Sequence, residues 1–349
     1  GVYLTGLGGL EKLVYKEDIP VPVPQAGEVL IEVKGAGINN TDINTRLGWY
    51  SKKVTSDTNA GGTDGLSEVD DSDAAWTGVP LKFPRIQGGD ICGIIVQAGE
   101  GVDQDRIGTR TIVRAMQNIP TKENPLAMQT MGSEVDGGFA QFCVAKAKES
   151  FPINCDWSDI ELASIPISYS TAEGMLCRGD IQKETILITG ASGGVGSAAI
   201  QLAKVRGAKI IAQCAPDKAS TLKELGADQT VNRNDDLVRV LGENSIDAVI
   251  DLVGGSSWPQ LLDILRPGGK YITSGAIAGP IVDLDLRSLY LKDLTLFGST
   301  VNEPYVFENV IRCIEEGQIK PLVAQSFPLK EIHQAQTVFI EKKFIGKLV

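Results

Sequence analysis

Apolar residues recur with a period of two in the first part of the chain. Residues 27–34 alternate as a strand with one buried face does, and Pro20, Pro22 and Pro24 stand just before them. Further short strands are predicted at 91–96 and 110–114. Residues 51–79 show no hydrophobic period and carry Gly61, Gly62, Asp70 and Asp71 among several Ser and Thr. A long surface insertion is predicted there, with a lid over a site as the alternative. From about Trp157 the texture changes. Residues 160–165 and 170–176 carry helical spacing, and then strands at 185–189, 209–212, 248–252 and 270–274 alternate with helices at 197–204, 218–225 and 259–265. The run Thr185-Ile186-Leu187-Ile188-Thr189 is apolar in the manner of parallel strands covered on both faces. This alternation predicts an α/β fold with a doubly wound parallel sheet of the Rossmann type. After Gly298, a helix at 307–316 and a closing extended segment are expected to return to the first domain, which divides the chain into 1–154, 155–299 and 300–349.

The loop Gly190-Ala191-Ser192-Gly193-Gly194-Val195-Gly196 follows the buried strand and opens a helix of small residues, Ser197, Ala198 and Ala199. In that setting Gly193 and Gly194 let backbone approach a pyrophosphate, and Gly196 lets the helix pack close to the sheet. The helix N-terminus turns its partial positive charge toward the phosphates. Ala191 stands where the strict G-x-G-x-x-G pattern has its first glycine, and a tight turn that binds nothing is the alternative. The next strand ends at Cys214, followed by Ala215, Pro216, Asp217 and Lys218. NAD sites present Asp or Glu at such a strand end to hold the ribose 2′-hydroxyl. With Cys214 there, a 2′-phosphate meets no close repulsion and Lys218 can pair with it, so NADPH is expected over NADH. Asp217 is the counterargument, and a solvated Lys218 in the first turn of its helix is the alternative.

Charge narrows the partners. A formal net charge of −11 argues against nucleic acid, which needs an excess of Lys and Arg. Hydrophobic content of 42% and charged content of 22% over 349 residues suit a globular protein of two domains. No apolar run approaches the roughly 18 residues of a membrane span, and no basic-then-apolar signal opens the chain, so a cytoplasmic protein is expected. Cys92, Cys143, Cys155, Cys177, Cys214 and Cys313 are scattered without a C-x-x-C pair, as suits a reducing compartment. The single histidine, His333, has Glu331 and Gln334 beside it and is expected on a helix surface. One histidine leaves little for a catalytic triad or a multi-histidine metal centre.

Several segments carry a family resemblance. They include Gly37-Ile38-Asn39-Asn40-Thr41-Asp42, Arg46-Leu47-Gly48-Trp49-Tyr50, Asp136-Gly137-Gly138-Phe139-Ala140 and Tyr169-Ser170-Thr171-Ala172. Asp251-Leu252-Val253-Gly254-Gly255, Arg266-Pro267-Gly268-Gly269 and Leu289-Tyr290-Leu291-Lys292-Asp293-Leu294-Thr295 follow the glycine loop in order. The sequence resembles the medium-chain dehydrogenase/reductase superfamily, most closely its zinc-free quinone oxidoreductase branch, over nearly the whole chain apart from residues 51–79. The resemblance implies a GroES-like catalytic domain made by both chain ends, a Rossmann domain inserted between them, and homodimers or homotetramers. Alcohol dehydrogenases of the superfamily bind a catalytic zinc, whose ligand positions fall here on Asn39, Gly89 and Ile167. None of these supplies sulfur, imidazole or carboxylate, and no Cys between Cys92 and Cys143 is left for a structural zinc. No metal is expected.

In the zinc-free branch, hydride goes to a quinone or an activated alkene, whose charge is delocalised, so hydrogen-bond donors suffice. The resemblance carries over Asn39, Thr41 and Tyr50 as candidate catalytic residues and Asp42 as a structural or nicotinamide-side residue. Read on their own, Asn39 and Asp42 also suit a turn cap, and Tyr50 suits packing beneath the insertion. The resemblance places the nicotinamide near Thr171, Val253, Gly254, Ser274, Gly275 and Ala276; a plain strand-end turn is the alternative for Gly254-Gly255. The expected function is NADPH-dependent reduction of a quinone or enone. Alcohol dehydrogenation or carbonyl (aldehyde) reduction, and a non-catalytic NADPH-binding crystallin-like or sensor protein, are the alternatives.

Overall fold

A computed structural model describes every residue from Gly1 to Val349 except Trp76 and Val79. It forms two compact units, the first comprising Gly1–Val54, Asn59–Ile167 and Pro321–Val349, the second Thr55–Thr58 and Ser168–Lys320.

In the first unit the period-two segments pair as an antiparallel sheet of β1 (Glu28–Gly37), β2 (Asp90–Ala98), β3 (Arg110–Val113), β4 (Phe142–Lys146) and β5 (Ser150–Pro152). Its strand order is β5-β3-β2-β1-β4. Alternate side chains point to one face, and Val29, Ile31, Ile91, Ile95, Val113, Cys143 and Ala145 meet there as a buried core. β1 runs directly into the helix α1 (Asn40–Leu47). Beyond it, the insertion holds no helix or strand among its described residues; Trp76 and its final residue, Val79, lie outside them.

Arg46 ties the insertion down. It is fully buried, with Nε donating to Gln336 Oε1 at 2.9 Å, Nη1 to Gly8 O at 2.8 Å and Nη2 to Gly62 O at 3.0 Å. Burial lowers its guanidinium to about 10, with Glu11 pulling the other way. Gln336 comes from the helix Ile332–Glu341, which also carries His333, exposed as expected, with Nε2 2.8 Å from Leu13 O.

In the second unit the apolar runs become a six-stranded parallel sheet of β6 (Thr185–Ile188), β7 (Lys209–Cys214), β8 (Gln229–Asn232), β9 (Ile246–Asp251), β10 (Leu265–Thr273) and β11 (Thr295–Gly298). The order β8-β7-β6-β9-β10-β11 is doubly wound about β6, whose Ile186, Leu187 and Ile188 are fully buried. Its longer helices are α2 (Pro166–Arg178, which begins in the first unit), α3 (Gly194–Arg206), α4 (Ala219–Leu225), α5 (Trp258–Ile264) and α6 (Pro304–Glu315). No helix among the described residues is long and apolar enough to cross a membrane.

The expected boundaries move. The units divide after Ile167 and after Lys320, not after residues 154 and 299, and α6 belongs to the second unit. Segment 159–163 stays with the first because Gly35 of β1 leaves room for it: a Cβ there would stand 2.9 Å from Ala163 Cβ and 3.0 Å from Asp159 O. At the other end, polar bonds hold α6 and its flanks to α2. Asn302 Nδ2 donates to Ser170 O at 3.1 Å, Asn309 Nδ2 to Glu173 Oε1 at 3.1 Å, and Tyr169 Oη to Lys320 O at 2.7 Å. Thr55–Thr58 of the insertion clusters with the second unit, where Thr58 N–H donates to Ile277 O at 3.1 Å.

Arg46→Met strands one buried and two part-buried acceptors while keeping most of the side-chain volume. Chemical denaturation is expected to show a loss of about 2–4 kcal/mol, with protease cleavage appearing first in the insertion. Unchanged stability would show that Arg46 does not anchor it.

Candidate functional site

The sequence-predicted catalytic residues gather in the first unit around the start of α1. Asp42 caps the helix: its Oδ2 accepts from Asn39 N–H at 2.8 Å, and its Oδ1 accepts from Gly88 N–H at 3.2 Å. Burial pushes the Asp42 carboxyl up to about 7, against these two bonds and the charge of Lys347, while Asp90 adds to the rise. Tyr50 Oη lies 3.4 Å from Thr41 Oγ1, which brings those two candidates together. Burial raises the Tyr50 phenol, opposed by its bonds to Thr41 and Asn44. Close by, Lys342 Nζ donates to Asn40 Oδ1 at 2.8 Å over the Phe339 ring, and burial, then Lys347, lowers its amine to about 7.

The Asn39 carboxamide is held by two residues that do not stand out in the sequence. Its Oδ1 accepts from Lys347 Nζ at 2.6 Å, and its Nδ2 donates to Asp90 Oδ2 at 2.8 Å. Lys347 Nζ also donates to Asp90 Oδ2 at 2.7 Å and to Ile38 O at 2.8 Å. Asp90 Oδ1 accepts from Ile167 N–H at 2.5 Å. The Lys347 and Asp90 side chains are 4% and 0% exposed. Gly37 admits the carboxylate, because a Cβ there would stand 2.7 Å from Asp90 Oδ2.

Asn39, Gly89 and Ile167, which match the zinc-ligand positions of alcohol dehydrogenases, form a poor metal cage. An ammonium occupies the Asn39 oxygen. A Cβ on Gly89 would stand 2.6 Å from Ile167 Cδ1, so an apolar side chain fills that space. Among the described residues no group of three or more His, Cys, Asp or Glu is placed to hold a metal ion. These residues do not fit zinc.

In the second unit the glycine loop fits a pyrophosphate. Gly193 is the N-cap of α3 and brings no side chain to the helix end. The first helical bond of the loop runs from Ser197 N–H to Gly193 O at 2.9 Å, so the N–H groups of Gly194, Val195 and Gly196 have no intrahelical acceptor. A Cβ on Gly196 would stand 2.5 Å from Gly190 O, whereas one on Gly193 would meet only Gly190 O, at 3.5 Å. Gly190 takes φ +56°, and Ser192 beside it is half-buried. Ala191 is buried, and its N–H donates to Gln213 O at 3.3 Å, which ties the loop to the end of β7.

That strand ends at the buried Cys214. Lys218 is only 8% exposed, so it is not the solvated residue that its place in a polar turn allowed. Burial lowers its amine; Asp217 opposes this and Arg233 adds to it. Arg233, a cation near Lys218 that does not stand out in the sequence, follows β8, and its backbone N–H donates to Cys214 O at 3.1 Å.

The residues expected beside the nicotinamide come together around Asp251, which is fully buried. Its Oδ1 accepts from Thr189 Oγ1 at 2.6 Å and Val253 N–H at 2.9 Å, and Gly254 N–H lies 3.2 Å from both carboxylate oxygens. Tyr271 Oη donates to Oδ2. Gly254 takes φ +64° in this turn. Ser274 N–H donates to Asp251 O at 3.4 Å, a Cβ on Gly275 would stand 3.1 Å from Leu252 O, and Ala276 Cα would lie 3.3 Å from one on Gly254. Thr171, half-buried on α2, makes none of these bonds.

The Asp42 carboxyl carries a pH signature. Its folded pKa lies above its unfolded value, so the native state holds the proton more tightly. Its contribution is fully present below about 4 and is lost as pH rises toward about 7. Asp42→Asn removes this term, so the stability of the variant relative to the wild type is expected to improve from pH 4 to pH 8. Urea titrations at both values check this; parallel profiles would remove Asp42 as the source.

The Alcohol dehydrogenase GroES-like domain family matches residues 25–154, and the Zinc-binding dehydrogenase family matches residues 194–316. A solved structure from Sinorhizobium meliloti 1021, described provisionally as an alcohol dehydrogenase, is 44% identical with a TM-score of 0.87, over 99% of this chain and 94% of its own. A quinone oxidoreductase of Lama guanicoe is 26% identical over 96% of this chain and 91% of its own length. An acryloyl-coenzyme A reductase of Sulfurisphaera tokodaii is 25% identical over 95% of each. With the GroES-like and Rossmann-type units both present in order, the chain belongs to the medium-chain dehydrogenase/reductase superfamily and is an oxidoreductase.

Proposed function

We propose that the protein is an NADPH-dependent, zinc-independent reductase of quinones or of activated alkenes such as enones. One observation carries this reading: the positions that would hold zinc are taken up by the Lys347–Asn39–Asp90 cluster and by Ile167. Without a Lewis acid, an acceptor that spreads its own developing charge is favoured. The relatives named quinone oxidoreductase and acryloyl-coenzyme A reductase fit acceptors of this kind.

When bound, the nicotinamide supplies hydride. The uncapped N–H groups of Gly194, Val195 and Gly196 hold the pyrophosphate, and Lys218 beside Cys214 meets a 2′-phosphate. Val253, Gly254, Ser274, Gly275 and Ala276 offer backbone groups to the carboxamide, and the resemblance assigns Thr171 to it as well. On the acceptor, hydride adds to the terminal alkene carbon and the displaced electron pair moves to the carbonyl oxygen. Asn39 donates a hydrogen bond to that oxygen, and Tyr50, backed by Thr41, or water returns the proton to carbon. A Tyr50 phenol raised by burial keeps its proton near neutral pH. Asp42 sets the start of α1 from which these groups project.

The S. meliloti structure favours a second reading, alcohol oxidation or aldehyde reduction. Purified protein with NADPH or NADH, offered phenanthrenequinone, an enone and a simple aldehyde, separates the two. Quinone and enone turnover insensitive to chelator, with NADPH preferred, is the expected result. Aldehyde-only turnover lost to a chelator would sink the first reading, and a preference for NADH would sink the cofactor assignment. Lys218→Ala should raise KM for NADPH roughly tenfold and leave NADH unaffected.

We also propose a homo-oligomer built on the β11 edge of the sheet. Ile281, Leu286, Tyr290 and Leu291, just before β11, are each more than 60% exposed, an apolar surface suited to a second copy. Light scattering is expected to give a dimer or tetramer, and Leu291→Glu a smaller species; a wild-type monomer would contradict this.

A further inference from the structure

Lys347 has all three of its ammonium protons committed inside the protein. They go to Ile38 O, Asn39 Oδ1 and Asp90 Oδ2, at 2.8, 2.6 and 2.7 Å. It therefore neither binds a ligand nor reaches solvent, and what it does must pass through the groups it holds. Asp90 is the counterpart at the other end of the same amide, with Oδ2 2.8 Å from Asn39 Nδ2. The Asn39 carboxamide thus lies between a cation at its oxygen and an anion at its nitrogen.

That arrangement acts along the amide dipole. Positive charge at oxygen and negative charge at the NH2 group both favour the resonance form with a negative oxygen and a positive nitrogen. In a buried setting little solvent screens the effect, and bonds in such a chain strengthen one another. One N–H of Asn39 is occupied by Asp90. The nitrogen's other contact is Gly37 O at 3.5 Å, at the outer limit of a hydrogen bond. The second N–H is therefore an under-used donor carrying extra positive charge. The same ion pair also locks the amide against rotation, and Asp90 Oδ1 on Ile167 N–H fixes the carboxylate in turn.

We propose that Lys347, with Asp90, is a positioning pair that polarises Asn39, so that this second N–H stabilises negative charge gained by the oxygen of a reducible acceptor. The inference rests on the reading that Asn39 faces the acceptor. It adds the source of that residue's strength: a fixed internal ammonium, acting through an amide, does part of what a metal ion does directly. An enone, which concentrates charge on one oxygen, depends on this more than a quinone, which spreads it.

The test uses the full chain with Lys347→Met and with the double variant Asp90→Asn/Lys347→Met, which removes the stranded carboxylate and keeps an acceptor for Ile167. In the single variant an uncompensated buried charge is expected to lower the unfolding temperature, and in the double variant much of that loss is expected to return. The double variant should bind NADPH as the wild type does, by fluorescence titration. With an enone, kcat should fall roughly tenfold or more at little-changed KM, and the fall with a quinone should be smaller.

A spectroscopic readout is independent of turnover. In asparagine-labelled wild-type protein, the Asn39 side-chain N–H resonances, assigned with Asn39→Ser, should lie downfield of the other asparagines and move upfield in the double variant. Enone turnover in the folded double variant equal to that of the wild type would overturn the proposal. So would an Asn39 resonance among the ordinary asparagines in the wild type, which requires neither turnover nor a folded double variant. Absence of any quinone or enone turnover in the wild type would defeat the proposed function, while the resonance would still decide the polarisation.

Discussion

The first unit depends on a buried ion pair. Removing a carboxylate and an ammonium from water costs several kcal/mol for each ion, and attraction alone rarely offsets it. Here the geometry supplies the rest. Lys347 donates to three oxygens, and Asp90 accepts from Lys347, Asn39 and Ile167. These partners come from the end of β1, the N-cap of α1, the first residue of β2, the start of α2 and the strand Lys347–Leu348. Four segments far apart in sequence are pinned to one point, and the first turn of α1 hangs from it. The positions of Thr41, Asp42 and Tyr50 are consequences of that point more than of local helix propensity.

The second unit reaches a similar end with different electrostatics. Asp251 is also a buried carboxylate that organises backbone at a strand end, but the bonds around it come from neutral donors: two hydroxyls and the N–H groups of Val253 and Gly254. Among the described residues no ion pair reaches Asp251, and several N–H and O–H groups hold the carboxyl instead. At the glycine loop the logic is reversed, with N–H donors presented and no side chain to satisfy them. One strand end therefore collects donors around an anion of the protein, and the other leaves donors for an anion from outside.

Much of this was legible in the sequence. An unbroken apolar run gave β6 away, because strands covered on both faces tolerate few polar residues, and the alternation of strand and helix after it gave β7, β9 and β10. The edge strands β8 and β11 escaped notice, since Gln229-Thr230-Val231-Asn232 and Thr295-Leu296-Phe297-Gly298 are short and only partly buried. The second boundary was misplaced because an amphipathic helix such as α6 shows that it has an apolar face and not which unit covers it. A solvated Lys218 stood as the alternative to a phosphate partner because a charged residue in a Pro-Asp turn is normally exposed, and the fold buries it. The roles of Asp90, Lys347 and Arg233 were hidden for another reason. Each is an ordinary residue in its local sequence, and its chemistry exists only where the fold brings distant segments together. Asn39 was singled out by resemblance, while the ammonium on its oxygen lies 308 positions away.

That separation also bears on how the chain is made. Asp90 and its cation are 257 residues apart, with the whole of Ser168–Lys320 between them. During synthesis at roughly 5–20 residues per second, Lys347 follows Asp90 by about 13–51 s, most of it spent making the Rossmann unit. Through that interval the first unit holds a carboxylate at the foot of β2 with no ammonium to meet it, so its sheet cannot close around Asp90 without burying an unpaired charge. The host domain waits for the returning strand as a ring waits for its clasp.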